Sequence, residues 1–488
     1  MPFKITFIGA GSIGFTRRLL ADLLAVPEFA DVELAFTDIN ARNLKMVTDL
    51  CRQDIAANGL ATKITATTNR RDALRGAKYI FTVVRIGGLE AFATDVDIPL
   101  KYGVDQCVGD TLCAGGIMYA QRGISALLDF CRDIREVAAP DCLLLNYANP
   151  MAMMTWAVNK YGGVRCVGLC HGVQHGHFQI AEVLGRKKSE VDIICAGINH
   201  QTWFISVKTD GKERTPELLA AFEQHPVYPQ EEKVRIDMLR RFGYYSTESN
   251  GHLSEYVPWY RKRTNEIKRW SNLKVWIGGE TGGYLRVCTE GRNWFEAEFG
   301  GNKKHEALRY TAENRSEEHG SHILEALETG RVYRGHFNLP NGGTITNLPP
   351  DAIIEAPGFV DRHGINMIPV GDLPLGCAAV CNTSISVQRL GVEAAVAGDD
   401  TLLRQAFMMD PLTGAVCNPP EIWQMVDEML VAQAPWLPRY KRAITAARKR
   451  LTKGPLLKTK VTRGAARLKT RSLAEMKRIE KQNPRAGH

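Results

Sequence analysis

Short apolar runs alternate with longer amphipathic segments along the first part of the chain. Runs such as KITFI, VELAF, YIFTVV and CLLLN are rich in β-branched, leucine or aromatic residues, which is typical of buried strands. The segments between them repeat apolar residues every three or four positions, which predicts helices. Strands that alternate with helices predict an α/β fold built on a Rossmann-like, doubly wound parallel sheet.

The pattern changes near residue 195. The stretch CAGINHQTWFISVKTDGK predicts antiparallel strands with a turn at Asp210 and Gly211. Long helical segments follow, and the Trp- and Gly-rich region 261–300 shows no clear periodicity. We therefore predict three parts, which are a Rossmann-like domain over residues 1–195, an α+β domain over 196–450 and a C-terminal tail over 451–488.

The sequence contains neither a membrane span nor a secretion signal that we can recognise. No run of about 18 apolar residues occurs, so we expect no contact with a membrane. The start, MPFKITFIGAGSIGF, lacks a basic leader and a small-residue cleavage site, which favours a first strand over a signal peptide. The twelve cysteines are scattered from Cys51 to Cys417, which favours reduced thiols and a cytoplasmic location.

The formal net charge of +9 is concentrated at the C-terminus. From Arg439 onward there are 17 basic residues and two acidic ones, so this segment carries +15 and residues 1–438 carry −6. The composition predicts a solvated, partly disordered basic tail, with anchoring to nucleic acid as the alternative. Because Tyr440 is the single aromatic residue from Arg439 onward, we expect no nucleic-acid partner.

A glycine-rich turn directly after the first predicted strand matches the dinucleotide-binding pattern GxGxxG. The first glycine allows a tight turn, the second lets backbone approach a pyrophosphate, and the phosphates meet the N-terminus of the following helix. An aspartate at the end of the second strand can accept hydrogen bonds from ribose hydroxyls and would repel a 2′-phosphate, which favours NAD over NADP. The predicted cofactor residues are Gly9, Gly11, Ser12, Ile13, Gly14 and Asp38.

The stretch LCHGVQHGH, residues 169–177, begins at the end of another predicted strand of the sheet. Asn149 ends the preceding strand, and His200 ends an apolar run in the next segment, so both should converge with Cys170 on one edge. A thiolate and an imidazole suit a divalent transition metal. We expect His175 and His177 to be structural, because they enter the next helix.

Several longer motifs occur together with these features. They are GAGS, IPLKYGV, TLCAGGI, NYANPM, GLCHGV, AGINH and TESNGHLSEYVPW. As a set they resemble glycoside hydrolase family 4, the NAD- and manganese-dependent glycosidases, from residue 3 to about residue 260. The resemblance is closest to the α-galactosidase and α-glucosidase branch.

This resemblance implies a mechanism that needs both NAD and Mn²⁺. NAD⁺ oxidises C3 of the sugar, the metal polarises the ketone, and a base removes the acidified C2 proton. The glycosidic oxygen leaves by elimination, water adds, and NADH returns the hydride. It also implies a lactate/malate-dehydrogenase-like second domain for substrate, metal and oligomerisation, and a homodimer or homotetramer.

The resemblance also assigns roles to residues of this sequence. Cys170 and His200 would bind the metal, and Asn149 would bind substrate hydroxyls. His171 would donate a proton to the leaving group, since imidazole titrates in a suitable range. Asp110 would raise the basicity of the C2 base.

The identity of the C2 base stays open at this stage. Tyr256 and His252 are four residues apart, on one face if the segment is helical, and either could reach the sugar. Glu248 is a third candidate.

The substrate also stays open. The resemblance favours α-glycosides of non-phosphorylated hexoses, although CHGV at residues 170–173 differs from the CHSV of α-galactosidases. Arg85 and the basic run 261–263 could instead serve an anionic sugar. The alternative to a glycosidase is an NAD-dependent dehydrogenase of the lactate/malate type, in which Cys170 and His200 would have no role.

Overall fold

The structure is a computed structural model that describes residues 3–300, 305–460 and 462–482. Its framework is a mixed sheet of 13 strands. In chain order the strands are β1 (Lys4–Ile8), β2 (Glu33–Thr37), β3 (Ile64–Thr67), β4 (Tyr79–Thr82), β5 (Leu143–Asn146), β6 (Arg165–Gly168), β7 (Asp192–Ile198), β8 (Gln201–Thr209), β9 (Lys212–Glu213), β10 (Tyr245–Ser246), β11 (Tyr333–Pro340), β12 (Ile353–Asp361) and β13 (Gly364–Met367).

Helices cover both faces of this sheet and extend beyond it. The helices are α1 (Ile13–Leu24), α2 (Ala41–Ala57), α3 (Arg70–Leu74), α4 (Gly88–Lys101), α5 (Cys113–Val137), α6 (Met151–Ala157), α7 (Gly172–Val183), α8 (Leu218–Gln224), α9 (Tyr228–Glu231), α10 (Lys233–Phe242), α11 (Asn250–Tyr256), α12 (Thr264–Trp270), α13 (Gly283–Phe299), α14 (His319–Thr329), α15 (Leu375–Ala397), α16 (Asp400–Met409), α17 (Pro411–Val416), α18 (Pro419–Ala432), α19 (Lys441–Lys453) and α20 (Leu473–Gln482).

The first six strands confirm the predicted Rossmann-like sheet. They are parallel and lie in the order β3-β2-β1-β4-β5-β6. The loops after β1, β4, β5 and β6 therefore open on one edge, where doubly wound folds bind their ligands. The remaining strands pair antiparallel, as predicted after residue 195, and the turn at Asp210 and Gly211 has positive φ at both residues.

Two apolar cores hold the sheet against its helices. On one face Phe7 stacks on Phe81 at 4.9 Å between ring centroids, within a buried cluster that includes α1, α2 and α14. On the other face Ile80 and Leu144 pack in a cluster with α5, α6 and α15. Each large apolar side chain buried in this way contributes about 1.5–3 kcal/mol. Both faces of the central strands are thus apolar, as their unbroken hydrophobic runs predicted.

Two single-residue pairings join the parallel and antiparallel halves. Asn338 of β11 lies opposite Gly168 of β6, and Glu355 of β12 lies opposite Gly197 of β7. Asn338 and Glu355 are also paired with each other. One sheet therefore runs across the boundary predicted at residue 195, and the three-part division stays a prediction.

Two further features concern the cysteines and the helices. All twelve cysteines are free thiols, and eleven of them are buried. Within the described ranges, every helix is too short or too polar to cross a bilayer.

The basic C-terminus is attached to the body, which differs from the predicted disordered tail. We name residues 454–460 and 462–482 the C-terminal strap, and most of its side chains up to residue 478 are exposed, as predicted. Its backbone, however, is bound at Ala465, whose N–H donates to Asp105 at 2.8 Å. Arg471 forms an ion pair with the buried Glu290 of α13 at 2.6 Å. The buried Glu290 carboxylate compensates part of the strap's positive charge, and the buried Asp105 carboxylate binds its backbone, which the composition alone did not reveal.

Ending the chain at Gly454 should lower the midpoint of thermal unfolding by about 5 °C. The truncation removes charge-assisted hydrogen bonds to two buried carboxylates, each worth roughly 1.5–3 kcal/mol. Differential scanning calorimetry would measure the change. The matched control is a chain that ends at Gln482, which keeps all of these contacts and should melt like the full chain. An equal midpoint for the two truncations would show that the strap contributes no stability.

Candidate active site

A thiol, an imidazole and a carboxylate meet at the ligand-binding edge of the sheet. Cys170 follows β6, His200 lies in the two-residue turn between β7 and β8, and Glu248 lies between β10 and α11. Their potential ligand atoms all lie within 4.8 Å of one another. Glu248 Oε1 is 3.7 Å from both Cys170 Sγ and His200 Nε2. The predicted pair of Cys170 and His200 is therefore brought together, and a third donor joins it.

These three donors fit a divalent transition metal. Sulfur, nitrogen and carboxylate oxygen are the ligands that such ions take from proteins, and three protein ligands leave positions open for a substrate. Burial raises the pKa of Glu248, but the neighbouring histidines outweigh burial and hold that pKa at about 2. Glu248 was predicted as a candidate base, and its position here is that of a ligand. The sequence could not reveal this, because 48 residues separate it from His200.

The local backbone holds these groups in place. His200 has φ of 64° and Glu248 has φ of 72°, in the left-handed region that side chains other than glycine seldom adopt. A Cβ atom at Gly172 would lie only 2.0 Å from Glu248 Oε1. The Gly172 N–H also donates to Cys170 Sγ at 3.4 Å. The lack of a side chain at Gly172 therefore leaves space for the Glu248 carboxylate, and the Gly172 N–H supplies a hydrogen bond to the Cys170 sulfur.

The ring of His200 is oriented by two hydroxyl groups. Its Nδ1 lies 3.1 Å from the Thr111 hydroxyl and 3.4 Å from the Tyr256 hydroxyl. These contacts leave Nε2 to face Glu248, and metal-binding histidines are commonly oriented in this way by a hydrogen bond at the other ring nitrogen. Thr111 was not identified from the sequence, although it lies in the TLCAGGI motif.

Asp110 forms a buried hydrogen-bonded group with Arg85 and Asn149, two residues that the sequence analysis had already named. Arg85 Nη2 lies 3.1 Å from Asp110, and Asn149 Nδ2 lies 3.3 and 3.4 Å from the two carboxylate oxygens. Burial acts to raise the pKa of Asp110, but the charge of Arg85 and two nearby histidines lower it. The Asp110 carboxylate thus stays ionised and orients the Asn149 amide.

The two remaining candidate bases lie on α11, as the spacing predicted. Tyr256 is 1 % exposed, and burial among acidic groups raises the pKa of its phenol well above the usual range. His252 Nδ1 lies 2.7 Å from the Ser249 hydroxyl, and burial lowers the pKa of His252 to about 4. The rings of His252 and His200 are 5.3 Å apart between centroids. Tyr256 and His252 therefore both lie next to the cluster of Cys170, His200 and Glu248.

His171 lies outside this cluster and is exposed. Its Nδ1 is 3.2 Å from Glu318 Oε1, and this hydrogen bond raises the pKa of His171. Glu318 immediately precedes α14, so sequence analysis did not connect it with residue 171. His175 and His177 lie within α7, and His177 Nε2 contacts the Val191 carbonyl at 2.7 Å, which agrees with their predicted structural role.

The glycine-rich turn after β1 has the shape that a dinucleotide needs. Gly9 has φ of 86°, and a Cβ atom there would lie 2.8 Å from the Val83 carbonyl oxygen. Asp38 accepts the Gly11 N–H at 2.9 Å, and a Cβ at Gly11 would touch the same carboxylate. Ser12 precedes α1 without capping it through its side chain, so the helix N-terminus is open to an anion. Gly14 is exposed and Ile13 begins the helix, so the predicted cofactor residues surround one turn.

Comparisons with known proteins agree with this geometry. Residues 4–186 match the family described as family 4 glycosyl hydrolase, and residues 195–413 match its C-terminal domain. An α-galactosidase of Rhizobium meliloti (strain 1021) is 60 % identical over 98 % of both chains. An α-galactosidase of Bacillus subtilis (strain 168) is 34 % identical over 90 % of this chain and 100 % of its own length.

The fold also matches a solved structure. The 6-phospho-β-glucosidase from Thermotoga maritima, solved with manganese, NAD⁺ and glucose-6-phosphate, aligns with a TM-score of 0.73. It is 22 % identical, and the alignment covers 89 % of this chain and 99 % of that one. At this identity the likeness shows the fold alone.

Replacing Gly172 with alanine should weaken the binding of Mn²⁺ by at least about tenfold, because the added methyl group displaces the Glu248 carboxylate. Isothermal titration of metal-depleted protein with Mn²⁺ would measure the change. The control is G291A on α13, where an added Cβ meets no atom within 4 Å. Unchanged Mn²⁺ affinity in G172A would exclude Glu248 as a ligand.

Proposed function

The chain belongs to family 4 of the glycosyl hydrolases, and we propose that within this family it hydrolyses α-galactosides of non-phosphorylated sugars. It is a glycosidase that depends on NAD and a divalent metal, Mn²⁺. The observation that carries the choice of sugar is the 60 % identity with an α-galactosidase over 98 % of both chains. The site's charges support the same choice.

Two of the basic residues considered for an anionic sugar are already paired with acids. Arg85 lies over the ring of Phe92 at 4.4 Å and pairs with Asp110, and its Nη1 is buried without a hydrogen-bond partner in the described part of the chain. Arg261 is 1 % exposed and bound to Asp105 at 2.7 Å. These two ion pairs support a neutral sugar over a uronic acid or a phosphosugar.

The proposed roles follow from the chemistry that the bound cofactors supply. Bound NAD supplies transient oxidation of the sugar at C3, and the cation held by Cys170, His200 and Glu248 supplies a Lewis acid. Asn149, oriented by Asp110, binds substrate hydroxyls. The C2 proton goes to Tyr256 or His252, and both remain candidates. His252 is neutral near pH 7 by the pKa given above, as a base must be.

His171 is the proposed proton donor to the departing oxygen. Glu318 binds Nδ1 and favours the protonated ring, so Nε2 keeps a proton that it can donate. Its exposed side chain supports a position at the rim of the site, where a leaving group would exit. Glu318 would thus act through His171 as a positioning residue.

The cellular setting is also a proposal. We infer a cytoplasmic enzyme, because all twelve cysteines are free. The homodimer or homotetramer is proposed from the resemblance to the family alone.

A substrate panel tests the function directly. We expect turnover of α-galactosides only with NAD⁺ and Mn²⁺ present, and a kcat/KM at least about 100-fold lower for α-galacturonides and 6-phosphogalactosides. Liquid chromatography would measure the released sugar, and absorbance at 340 nm would follow NADH. Stoichiometric accumulation of NADH would favour the dehydrogenase alternative. Preference for the acidic sugars would contradict the proposed specificity.

The role of His171 predicts a dependence on the leaving group. H171A should lower kcat/KM about 10²–10⁴-fold for an α-galactoside with a sugar leaving group, which needs a proton. The loss should be far smaller for a dinitrophenyl galactoside, whose leaving group departs as an anion. E318Q should show the same selectivity to a smaller degree. Equal losses for both substrates would contradict a proton-donor role.

A further inference from the structure

A buried glutamate binds the backbone of the loop that leads to Asp110. Glu255 of α11 is fully buried, and its two carboxyl oxygens accept three consecutive backbone N–H groups of this loop. The donors and their distances are Cys107 at 2.7 Å and Val108 at 2.9 Å to Oε2, and Gly109 at 2.9 Å to Oε1. Asp110 follows the last of these donors, so Glu255 fixes the backbone directly before it.

The loop contacts the active site through its next two side chains. Asp110 lies 3.3 Å from Asn149 Nδ2, and the Thr111 hydroxyl lies 3.1 Å from His200 Nδ1. Gly109 has φ of 67°, in the region that favours glycine, so the chain bends immediately before these two residues. A shift of the Gly109 N–H would therefore move both side chains.

Other buried carboxyl groups hold the two ends of this loop. Asp105 at its start binds the C-terminal strap, and the Cys113 N–H at its end donates to Asp410 at 3.1 Å. Of the three carboxyl groups, Glu255 is the one that binds the residue next to Asp110. The middle of the loop therefore depends on α11, which is the helix that carries both candidate bases.

The three bonds do not require Glu255 to be charged. Burial raises the pKa of Glu255 to about 7, although the three N–H groups and the charge of Arg261 act in the opposite direction. A protonated carboxyl group keeps acceptor capacity on both oxygens, so it can still accept all three N–H groups. The NH₂ group of an amide only donates. A glutamine in this place would therefore leave one N–H of the loop without an acceptor.

We propose that Glu255 is a positioning residue that sets the places of Asp110 and Thr111 in the active site. Through Asp110 it acts on the amide of Asn149, which binds the sugar. Through Thr111 it acts on the ring of His200, which binds the cation. This inference rests on the proposed function and its metal site.

Two variants disturb this contact by different routes. E255Q keeps the size of the side chain but turns an NH₂ group toward an N–H of the loop. G109A keeps Glu255 and adds a Cβ where φ is unfavourable for alanine, although the nearest atom, Gln106 Cδ, lies at an ordinary 3.4 Å. The matched control is E290Q, because the buried Glu290 of α13 also accepts a backbone N–H, at 2.7 Å from the strap.

The first test combines these variants with D110N in the full chain. E255Q alone should lower kcat/KM for an α-galactoside about 10–100-fold, because a displaced loop misplaces the sugar. In the D110N background the same substitution should cost less than about threefold, because a residue that acts through another loses its effect once that residue is changed. G109A should show the same pattern to a smaller degree. E290Q should keep kcat/KM within about twofold.

The second test combines them with T111V and measures Mn²⁺ binding. Isothermal titration of metal-depleted protein gives the dissociation constant. E255Q alone should weaken Mn²⁺ binding about tenfold, because the ring of His200 loses its orientation. In the T111V background the further loss should be less than about threefold. E290Q should bind Mn²⁺ like the unchanged chain.

Every other outcome has a definite meaning. An undiminished loss in D110N or in T111V would show that Glu255 supports the fold in general, and would overturn the inference. Unchanged kcat/KM and Mn²⁺ affinity in E255Q would overturn it as well. If E255Q does not fold, the same comparisons with G109A decide. If the unchanged chain does not cleave α-galactosides, the proposed function fails, and Mn²⁺ binding in the T111V background still decides the inference. If it does not bind Mn²⁺ either, the inference fails with the metal site.

Discussion

The Glu248 carboxylate has room beside Cys170 and His200 because residue 172 has no side chain. Two of the three donors also have backbone in the left-handed region, so the surrounding structure must hold them against their local preference. The packing of the strand ends holds these residues in place, because it sets the relative positions of residues that are far apart in the chain. Every other group at the site, from Thr111 to His171, is placed around this cluster.

The protein keeps most of the charges at this site within hydrogen-bonded groups. Asp110 is compensated by Arg85, and the Asp105 carboxylate is compensated by Arg261. Cations that are already paired attract an acidic substrate less strongly than unpaired cations do, which is one reason why the proposed substrate is a neutral sugar.

The sequence predicted those features that depend on local pattern. Strand and helix periodicity predicted that the first six strands form a parallel sheet, although not their order in it, and the glycine turn with Asp38 predicted which end of the sheet binds the cofactor. Cys170 and His200 were brought together because strand ends in such folds converge. The sequence did not predict the positions of Glu248 and Glu318, because only long-range packing brings these residues to the site. The attachment of the basic tail was missed for the same reason, since its partners Asp105 and Glu290 are more than 150 residues away.

The strap connects a loop of the active site with a distant part of the chain. Asp105 belongs to the loop that leads to Asp110 and Thr111, and its partner Ala465 lies 360 residues further along the chain. During synthesis this loop is therefore made long before its donor, and it gains that hydrogen bond only after residue 465 has been made and has packed against it.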